Sequence, residues 1–312
     1  MKISLISTVK DAGPHIGEFL DSVAAQTRRP DEVVVVDGGS TDGTVETLRS
    51  TDWVTLIELP GANISAGRAA AISAATHDDI AVADADCVLD TEWLARLERL
   101  LEAGADVAMG FYRPIADNLF EAYVAAVHLP EPEEVDEARF MPSSRSVAFT
   151  RSAYESAGGY PEWLAIGEDM YLNHRWRELG MDMRMDREAV VSWRVRPTLR
   201  ATWRQYFAYA RGDALAGMYP RRHALRFGAY AGIIFLAPSR FGRVLLLAGA
   251  LLYAWRPLRR AFHRLAGRPA AQVGSLVAVP ALMAFCDVAK MSGYLAGVIR
   301  KLSGDVAGPD HS

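Results

Sequence analysis

The sequence predicts an α/β fold: an open, mostly parallel sheet flanked by helices, with a basic, apolar helical region behind it. Three observations predict it. Strand-like and helix-like segments alternate through the first 110 residues at βαβ spacing. The segment 32–36 is almost purely valine, as expected of a parallel strand buried on both faces. The charge is also split along the chain. Residues 1–193 carry 16 Lys and Arg against 34 Asp and Glu, whereas residues 194–301 carry 18 Lys and Arg against only Asp213 and Asp287. The net charge of −4 conceals an acidic front and a basic rear with different surroundings.

Each element has its own signal. Residues 3–7 are a short β-run, and Ile16, Phe19, Leu20 and Val23 recur at helical spacing within 14–26. After strand 32–36, the turn Asp37-Gly38-Gly39-Ser40-Thr41-Asp42-Gly43-Thr44 is rich in helix-capping residues and leads a helix to Leu48. Strand 53–59, an alanine-rich helix over 64–75 and strand 80–83 follow, the last ending at Asp84-Ala85-Asp86. A helix over 91–103 and a strand over 107–111 complete the alternation. Residues 112–145 are irregular, with an acidic loop at 131–137. Beyond them lie strand 146–150, helix 171–179, strand 187–193 and an aromatic, basic helix over 199–217.

Composition narrows the class. Half of the 312 residues are hydrophobic, which excludes wholesale disorder. Two cysteines, Cys87 and Cys286, supply neither a disulfide framework nor a zinc ribbon. The first residues run straight into a strand without the n-region and h-region of a signal peptide, which predicts a cytosolic working part. In the rear, apolar runs at 227–237, 244–255, 271–286 and 291–299 are broken by Pro238-Ser239-Arg240, by Arg256, Arg259, Arg260, Arg264 and Arg268, and by Asp287 and Lys290. A spanning helix needs about 20 apolar residues. No run reaches that cleanly, although 227–255 would as a hairpin or tilted span. Arginines flank every run, so interfacial or re-entrant helices that keep them on one side fit the positive-inside rule. The expected organisation is a catalytic domain over 1–220 and a membrane-associated tail over 221–312, on an anionic membrane rather than nucleic acid. A helical subdomain or dimer interface is the bland alternative.

Four motifs carry chemistry. Asp84 and Asp86, one residue apart at a strand end, can converge on a divalent cation, and oxygen ligands favour Mg²⁺ or Mn²⁺. Alone, such a pair equally describes two solvated turn aspartates. Asp37 ends the second strand, where a carboxylate can accept hydrogen bonds from a base or ribose, or simply cap the turn. Arg68 lies near the start of a helix, against the helix dipole, where a diphosphate suits its planar fork better than a surface ion pair does. Gly167-Glu168-Asp169 precedes a helix, where acids are favoured anyway, but one carboxylate there can serve as a general base.

In this order, and with Gln26-Thr27-Arg28-Arg29-Pro30-Asp31-Glu32 before the valine strand, the sequence resembles the family 2 glycosyltransferases over residues 1–215. The resemblance implies a GT-A fold, a nucleotide-diphosphate-sugar donor (typically UDP), a Mn²⁺ or Mg²⁺ ion and inversion at the anomeric carbon. It implies Ser7 and Thr8 in the nucleotide pocket, Asp37 on the base, Arg68 on the diphosphate, Asp84 near the ribose, Asp86 on the metal, and Asp169 as base with Glu168 beside it shaping the acceptor site. The sequence departs from the pattern where Val9-Lys10 replaces the usual Tyr-Asn. It departs again where Trp203-Arg204-Gln205-Tyr206-Phe207 stands in place of the Gln-x-x-Arg-Trp string of processive synthases, which favours transfer of one sugar. Arg204, Arg211 and Ser144 are candidate acceptor or diphosphate contacts. The expected role is glycan synthesis for the cell envelope, at the cytoplasmic face of the membrane, on a lipid-linked or membrane-borne acceptor. A catalytically degenerate membrane scaffold and a sugar-nucleotide pyrophosphorylase are the rival readings. The pyrophosphorylase needs a Gly-rich basic loop after the first strand, which Asp11-Ala12-Gly13-Pro14 does not supply.

Overall fold

The computed structural model describes residues 1–13 and 15–304; Pro14, at the start of the predicted helix 14–26, and the end of the predicted tail, 305–312, lie outside the described residues. In chain order the elements are β1 (Ile3–Val9), α1 (His15–Ala24), β2 (Glu32–Asp37), α2 (Thr44–Arg49), β3 (Thr55–Glu58), α3 (Ile64–Ala74) and β4 (Asp79–Val82). Next come β5 (Cys87–Leu89), α4 (Trp93–Glu102), β6 (Val107–Ile115), α5 (Leu119–His128) and two 3₁₀ turns, Pro132–Glu134 and Glu137–Arg139. Then follow β7 (Val147–Thr150), α6 (Arg151–Ser156), α7 (Glu168–Glu178), β8 (Met183–Arg194), α8 (Leu199–Leu215), α9 (Pro220–Leu236), α10 (Arg240–Arg264) and α11 (Pro269–Leu302). They form two compact units: residues 1–115 with 132–194, and residues 116–131 with 195–312. The division falls at other positions than 220: α5 and α8 pack within the second unit.

The first unit is built on one sheet of order β3-β2-β1-β4-β7-β6-β8-β5. β1 pairs in parallel with β2 and β4, and β2 with β3. The far half is mixed, because β7 runs antiparallel to β4 and β6, and β5 antiparallel to β8. The sheet is therefore less parallel than expected; burial pattern reports which faces are covered but not strand direction. Val33, Val34, Val35 and Val36 are all buried, as the valine run predicts. Helix and strand faces meet in a core that includes Ile6, Val34, Ile72, Val82, Phe149 and Trp176. α3 comes close to β1 because residue 67 is glycine: a Cβ there would stand 2.9 Å from the Thr8 Cγ2 atom. Gln26, from the string noted above, is buried; its amide donates to Asp90 O (2.7 Å) and accepts from Leu94 N (3.0 Å), satisfying an orphan donor at the start of α4.

The strand order reverses at β1, which has β2 on one side and β4 on the other. Such a switch point opens a crevice beyond the carboxyl ends of the strands. The register leaves β1 longer than β4: Ile6 pairs with Val82, while Thr8 and Val9 continue opposite Val36 and Asp37.

The second unit is helical. Gly293 and Gly297 on α11 let it touch the α8 backbone; a Cβ at Gly293 would fall 2.1 Å from Phe207 O, and one at Gly297 2.6 Å from Arg211 O. This small-xxx-small spacing permits close approach of two helix backbones. Ser239 caps α10 by accepting from Gly242 N at 2.8 Å, so the predicted break at Pro238-Ser239-Arg240 is a helix–helix turn. The predicted breaks at Arg256 and at Asp287 and Lys290 are not helix ends. α10 runs 25 residues through the arginines, and α11 runs 34 residues through Asp287. Charged side chains do not terminate a helix, and Asp287 is satisfied internally by Arg226 Nε (2.8 Å), Tyr253 Oη (2.9 Å) and Tyr230 Oη (3.3 Å). Among the described residues, α10 and α11 are long and apolar enough to cross a membrane. At about 1.5 Å per residue the 25 residues of α10 reach about 37 Å, against a hydrocarbon core of about 30 Å. Leu225, Ile234, Phe235, Phe241, Leu252 and Trp255 of α9 and α10 stand exposed.

Candidate active site

The site grows from the ends of β1, β2 and β4. Asn63 caps α3 by accepting from Ala66 N (2.9 Å), and its amide donates to Glu162 O (2.8 Å), which ties the loop before α7 to the helix that carries Arg68. Arg68 is 2 % exposed. One end of its guanidinium pairs with Glu168, and the other with Asp84 Oδ1 at 2.5 Å. Three of the four sequence motifs are thus joined by one side chain. The two carboxylates outweigh the desolvation of the Arg68 guanidinium and hold its pKa far above the usual value. Tyr160 lies under it, with the Arg68 Cζ 5.5 Å from the ring centroid.

Around this pair runs a second chain of contacts. Arg145 faces Asp84 Oδ2 from 3.5 Å, stacks 4.3 Å over the Trp193 ring and donates to Ser143 Oγ at 2.8 Å. Ser143 Oγ in turn lies 3.4 Å from Asp169 Oδ2. Asp169 is half-buried in the first turn of α7, and its other oxygen accepts from Met170 N (2.8 Å). Asp86 accepts from Trp193 Nε1 at 3.2 Å. The carboxylates expected to act at opposite ends of the reaction, Asp86 and Asp169, are therefore positioned through the same Arg145–Trp193 stack.

Several predicted residues are held by partners within the first unit. Glu168 is 4 % exposed and turned to Arg68, so its carboxylate anchors the start of α7. Burial, only partly offset by Arg68 and reinforced by Asp169, pushes its carboxyl up to about 7. Asp37 is 2 % exposed; its oxygens accept from Gly39 N (2.8 Å), Ser40 N (2.9 Å) and the Ser40 hydroxyl, so its carboxylate holds the turn after β2. Ser144 is buried, with its hydroxyl on Tyr160 Oη at 2.8 Å, and supports the ring under Arg68. Arg204, exposed, and Arg211, half-buried, lie on α8 of the second unit, and the network just described contains neither. Ser7 is buried with its Oγ lacking a hydrogen-bond partner among the described residues, and Thr8 beside it is half-buried. An orphaned hydroxyl next to the switch-point crevice is what a pocket polar group looks like. The loops after β1 and β2 are cross-linked: Asp11 N donates to Ser40 Oγ (2.8 Å), Thr41 N to Asp11 Oδ1 (2.8 Å) and Gly13 N to Asp42 Oδ2 (2.7 Å).

Among the described residues no three or more His, Cys, Asp or Glu side chains converge as a preformed cation site. Both oxygens of Asp84 face arginines. A single carboxylate still suits Mg²⁺-like chemistry, in which one or two carboxylates act together with substrate phosphates and water. Sequence reasoning missed Tyr160 and Trp193, which had no local signal; Arg145 stands in the stretch 141–146 before a buried strand, which the sequence offers as lining of the acceptor cleft.

The fold and this arrangement define a switch-point α/β enzyme with an acidic, arginine-braced crevice. Residues 4–153 match the family model described as Glycosyl transferase family 2, and with the relatives and the fold the chain is a glycosyltransferase with a GT-A fold. It is similar to the O-antigen chain rhamnosyltransferase RfbN of Salmonella typhimurium, 26% identical over 233 residues that cover 66% of this chain and 71% of the relative. Glycosyltransferase AglE of Haloferax volcanii is 27% identical over 212 residues, covering 62% and 67%. Among solved structures, the mannosyltransferase PcManGT from Pyrobaculum calidifontis in complex with GDP-Man and Mn²⁺ is 23% identical, with a TM-score of 0.56 over 97% of this chain and 87% of that one. S. aureus TarS in complex with UDP-GlcNAc is 16% identical, with a TM-score of 0.55 over 97% and 92%. At these identities the two structures speak for the fold alone. The glycosyltransferase match speaks against the pyrophosphorylase reading.

Proposed function

We infer that the chain transfers one sugar, with inversion, from a nucleotide-diphosphate sugar to a hydroxyl or phosphate of a membrane-borne acceptor at the cytoplasmic face of the membrane. The observation that carries this reading is the Arg68 bridge, which locks the turn bearing Asp86 to the helix start bearing Asp169. The neighbours solved with GDP-Man and UDP-GlcNAc support a nucleotide-sugar donor, and the rhamnosyltransferase relative supports an envelope glycan as product.

In this reading Ser7, Thr8 and the cross-linked loops after β1 and β2 receive the nucleotide. Asp86 is the residue that would hold a divalent cation, which when bound offsets charge on the departing diphosphate. Arg68 and Arg145 supply fixed positive charge at the same end of the crevice, preorganised by Asp84 and Trp193. Asp169 takes the proton from the acceptor hydroxyl as that oxygen attacks the anomeric carbon in line with the leaving diphosphate. One base and one displacement suffice, and the sugar carbon inverts. The exposed apolar faces of α9 and α10 keep the enzyme beside its acceptor.

The test is nucleotide binding by thermal shift with UDP, GDP, CDP and dTDP, each with and without Mn²⁺, in the wild type and Asp86→Ala. A ligand at about 100 times its Kd stabilises the fold by about 2.7 kcal/mol. The expected result is a Mn²⁺-dependent shift for one nucleotide that Asp86→Ala abolishes. No shift with any nucleotide in folded protein overturns the reading in favour of a scaffold.

A further inference from the structure

The second unit holds a cavity that the proposed reaction does not use. It measures about 610 Å³ and is lined from α5, α10 and α11. That volume lies in the range of small-ligand sites, about 300–1,000 Å³. Its apolar wall includes Val127, Leu252, Trp255 and Met283, and its polar wall includes Arg256, Arg260 and Lys290. Asp287 also lines it, but that charge is committed: Arg226 holds one oxygen, and Tyr230 and Tyr253 the other. The Lys290 ammonium lies 4.8 Å from the centroid of the Tyr206 ring and, like Arg256, makes no ion pair among the described residues. Arg260 is braced against α5 through Ala126 O at 3.4 Å. Arg256 and Lys290 line the cavity without an ion pair among the described residues, and a guanidinium with an ammonium suits the oxygens of a phosphate. The apolar wall continues onto a helix whose Leu251, Leu252 and Trp255 are exposed, which suits a hydrocarbon chain.

We propose that this cavity binds the phosphate headgroup of a single-chain lipid phosphomonoester, with Lys290 and Arg256 on the phosphate and Trp255 and Met283 against the first carbons of the chain. The proposal rests on the membrane-associated reading of the second unit, and not on the donor or the reaction. Its chemistry is shared with free phosphate, and the hydrocarbon wall decides for the lipid.

The test uses the full chain in dodecyl maltoside micelles, titrated with hexadecyl phosphate, hexadecanol, phosphatidylglycerol and inorganic phosphate, with bound ligand read by native mass spectrometry. Hexadecyl phosphate is expected to bind best. Lys290→Met and Arg256→Gln are each expected to weaken it by about tenfold, the size of a lost charge-assisted contact. Arg300→Gln, an exposed cation of α11 outside the cavity, is expected to leave it unchanged. Arg256 is exposed, so its variant keeps the test open if Lys290→Met does not fold. The proposal is overturned if both variants keep wild-type affinity, if Arg300→Gln loses as much, or if inorganic phosphate or hexadecanol binds as tightly as hexadecyl phosphate. Absence of a nucleotide shift alongside intact lipid binding sinks the transferase reading alone. Failure to partition into vesicles that contain phosphatidylglycerol sinks the membrane reading.

Discussion

Glu168→Gln should flatten the fall in stability that the wild type shows between pH 4.5 and about 7. Glu168 is buried against Arg68, and burial lifts its carboxyl from 4.5 to about 7 despite that partner. A carboxyl whose folded pKa is raised binds its proton more tightly in the folded state. Its contribution is therefore complete below about pH 4.5, is lost as pH rises to about 7, and is constant above. A rise of 2.5 pH units at 1.36 kcal/mol each amounts to about 3 kcal/mol. For a domain of this size that is a drop of about 6–12 °C in melting temperature. Other groups act elsewhere. Asp31 and Glu32 have lowered pKa values, so their contributions are present above the ordinary carboxylate range and lost below it. His128 is held neutral by burial and costs stability only as pH falls below 6.5. Both proteins share these terms, so the difference between wild type and variant isolates Glu168. The assay is thermal unfolding followed by tryptophan fluorescence from pH 4.5 to 8, because five of the seven tryptophans (53, 93, 163, 176 and 193) lie in the first unit. A wild-type-minus-variant difference that stays flat across this range would refute the reasoning.

Three further outcomes are expected. Asp169→Asn should cut sugar transfer by about 10²–10⁴-fold, the range for removing a general base, while the nucleotide shift persists; loss of the shift as well would show that Asp169 holds the fold or the donor. Arg68→Met should cost about 3–5 kcal/mol by leaving Glu168 buried without its cation and Asp84 with Arg145 alone, and adding Glu168→Gln should recover part of it; equal destabilisation of single and double variants in chemical denaturation would contradict the bridge. Gly293→Val should destabilise the second unit by at least the roughly 1–3 kcal/mol typical of overpacking and lower its melting point, whereas Gly228→Val, in open space on α9, should not; equal melting points would mean that α11 does not need its contact with α8.

The first four strands and the order of the four motifs were legible because each lies where local signals suffice. Residues 32–37 announce a doubly buried strand, and a glycine-rich, capping-rich turn announces its end. α5 was missed although its signal was present. Asn118 accepts from Glu121 N (3.0 Å) and Glu121 accepts from Asp117 N (2.5 Å), a capping-box pattern that the surrounding irregular, acidic stretch obscured. β5, three residues long, is below any periodicity. The partners of Asp84, Glu168 and Ser144 were illegible for a different reason. Whether a carboxylate faces a ligand or a guanidinium depends on residues far away in sequence, such as Arg68, Arg145 and Tyr160, and spacing along the chain carries no record of that.

The rear of the chain shows what the structure adds to charge counting. Its two acids among residues 194–301, Asp213 and Asp287, are both buried. Asp213 accepts from His223 Nε2 (2.8 Å) and Arg222 (2.9 Å), and Arg226 reaches both the His223 Nδ1 atom (3.2 Å) and Asp287. With Nδ1 accepting from Arg226, His223 carries its proton on Nε2, which fixes the imidazole as the link between the two carboxylates. The network consumes the acids inside the helical unit and joins α8, α9, α10 and α11. Arg240, Arg243, Arg256 and Arg259 are left on an exposed surface of Leu, Phe, Val and Trp. This distribution supports the proposed place of the second unit at a membrane. An anionic bilayer surface would take up both the hydrocarbon and the charge, at about 1 kcal/mol for each basic residue near the headgroups.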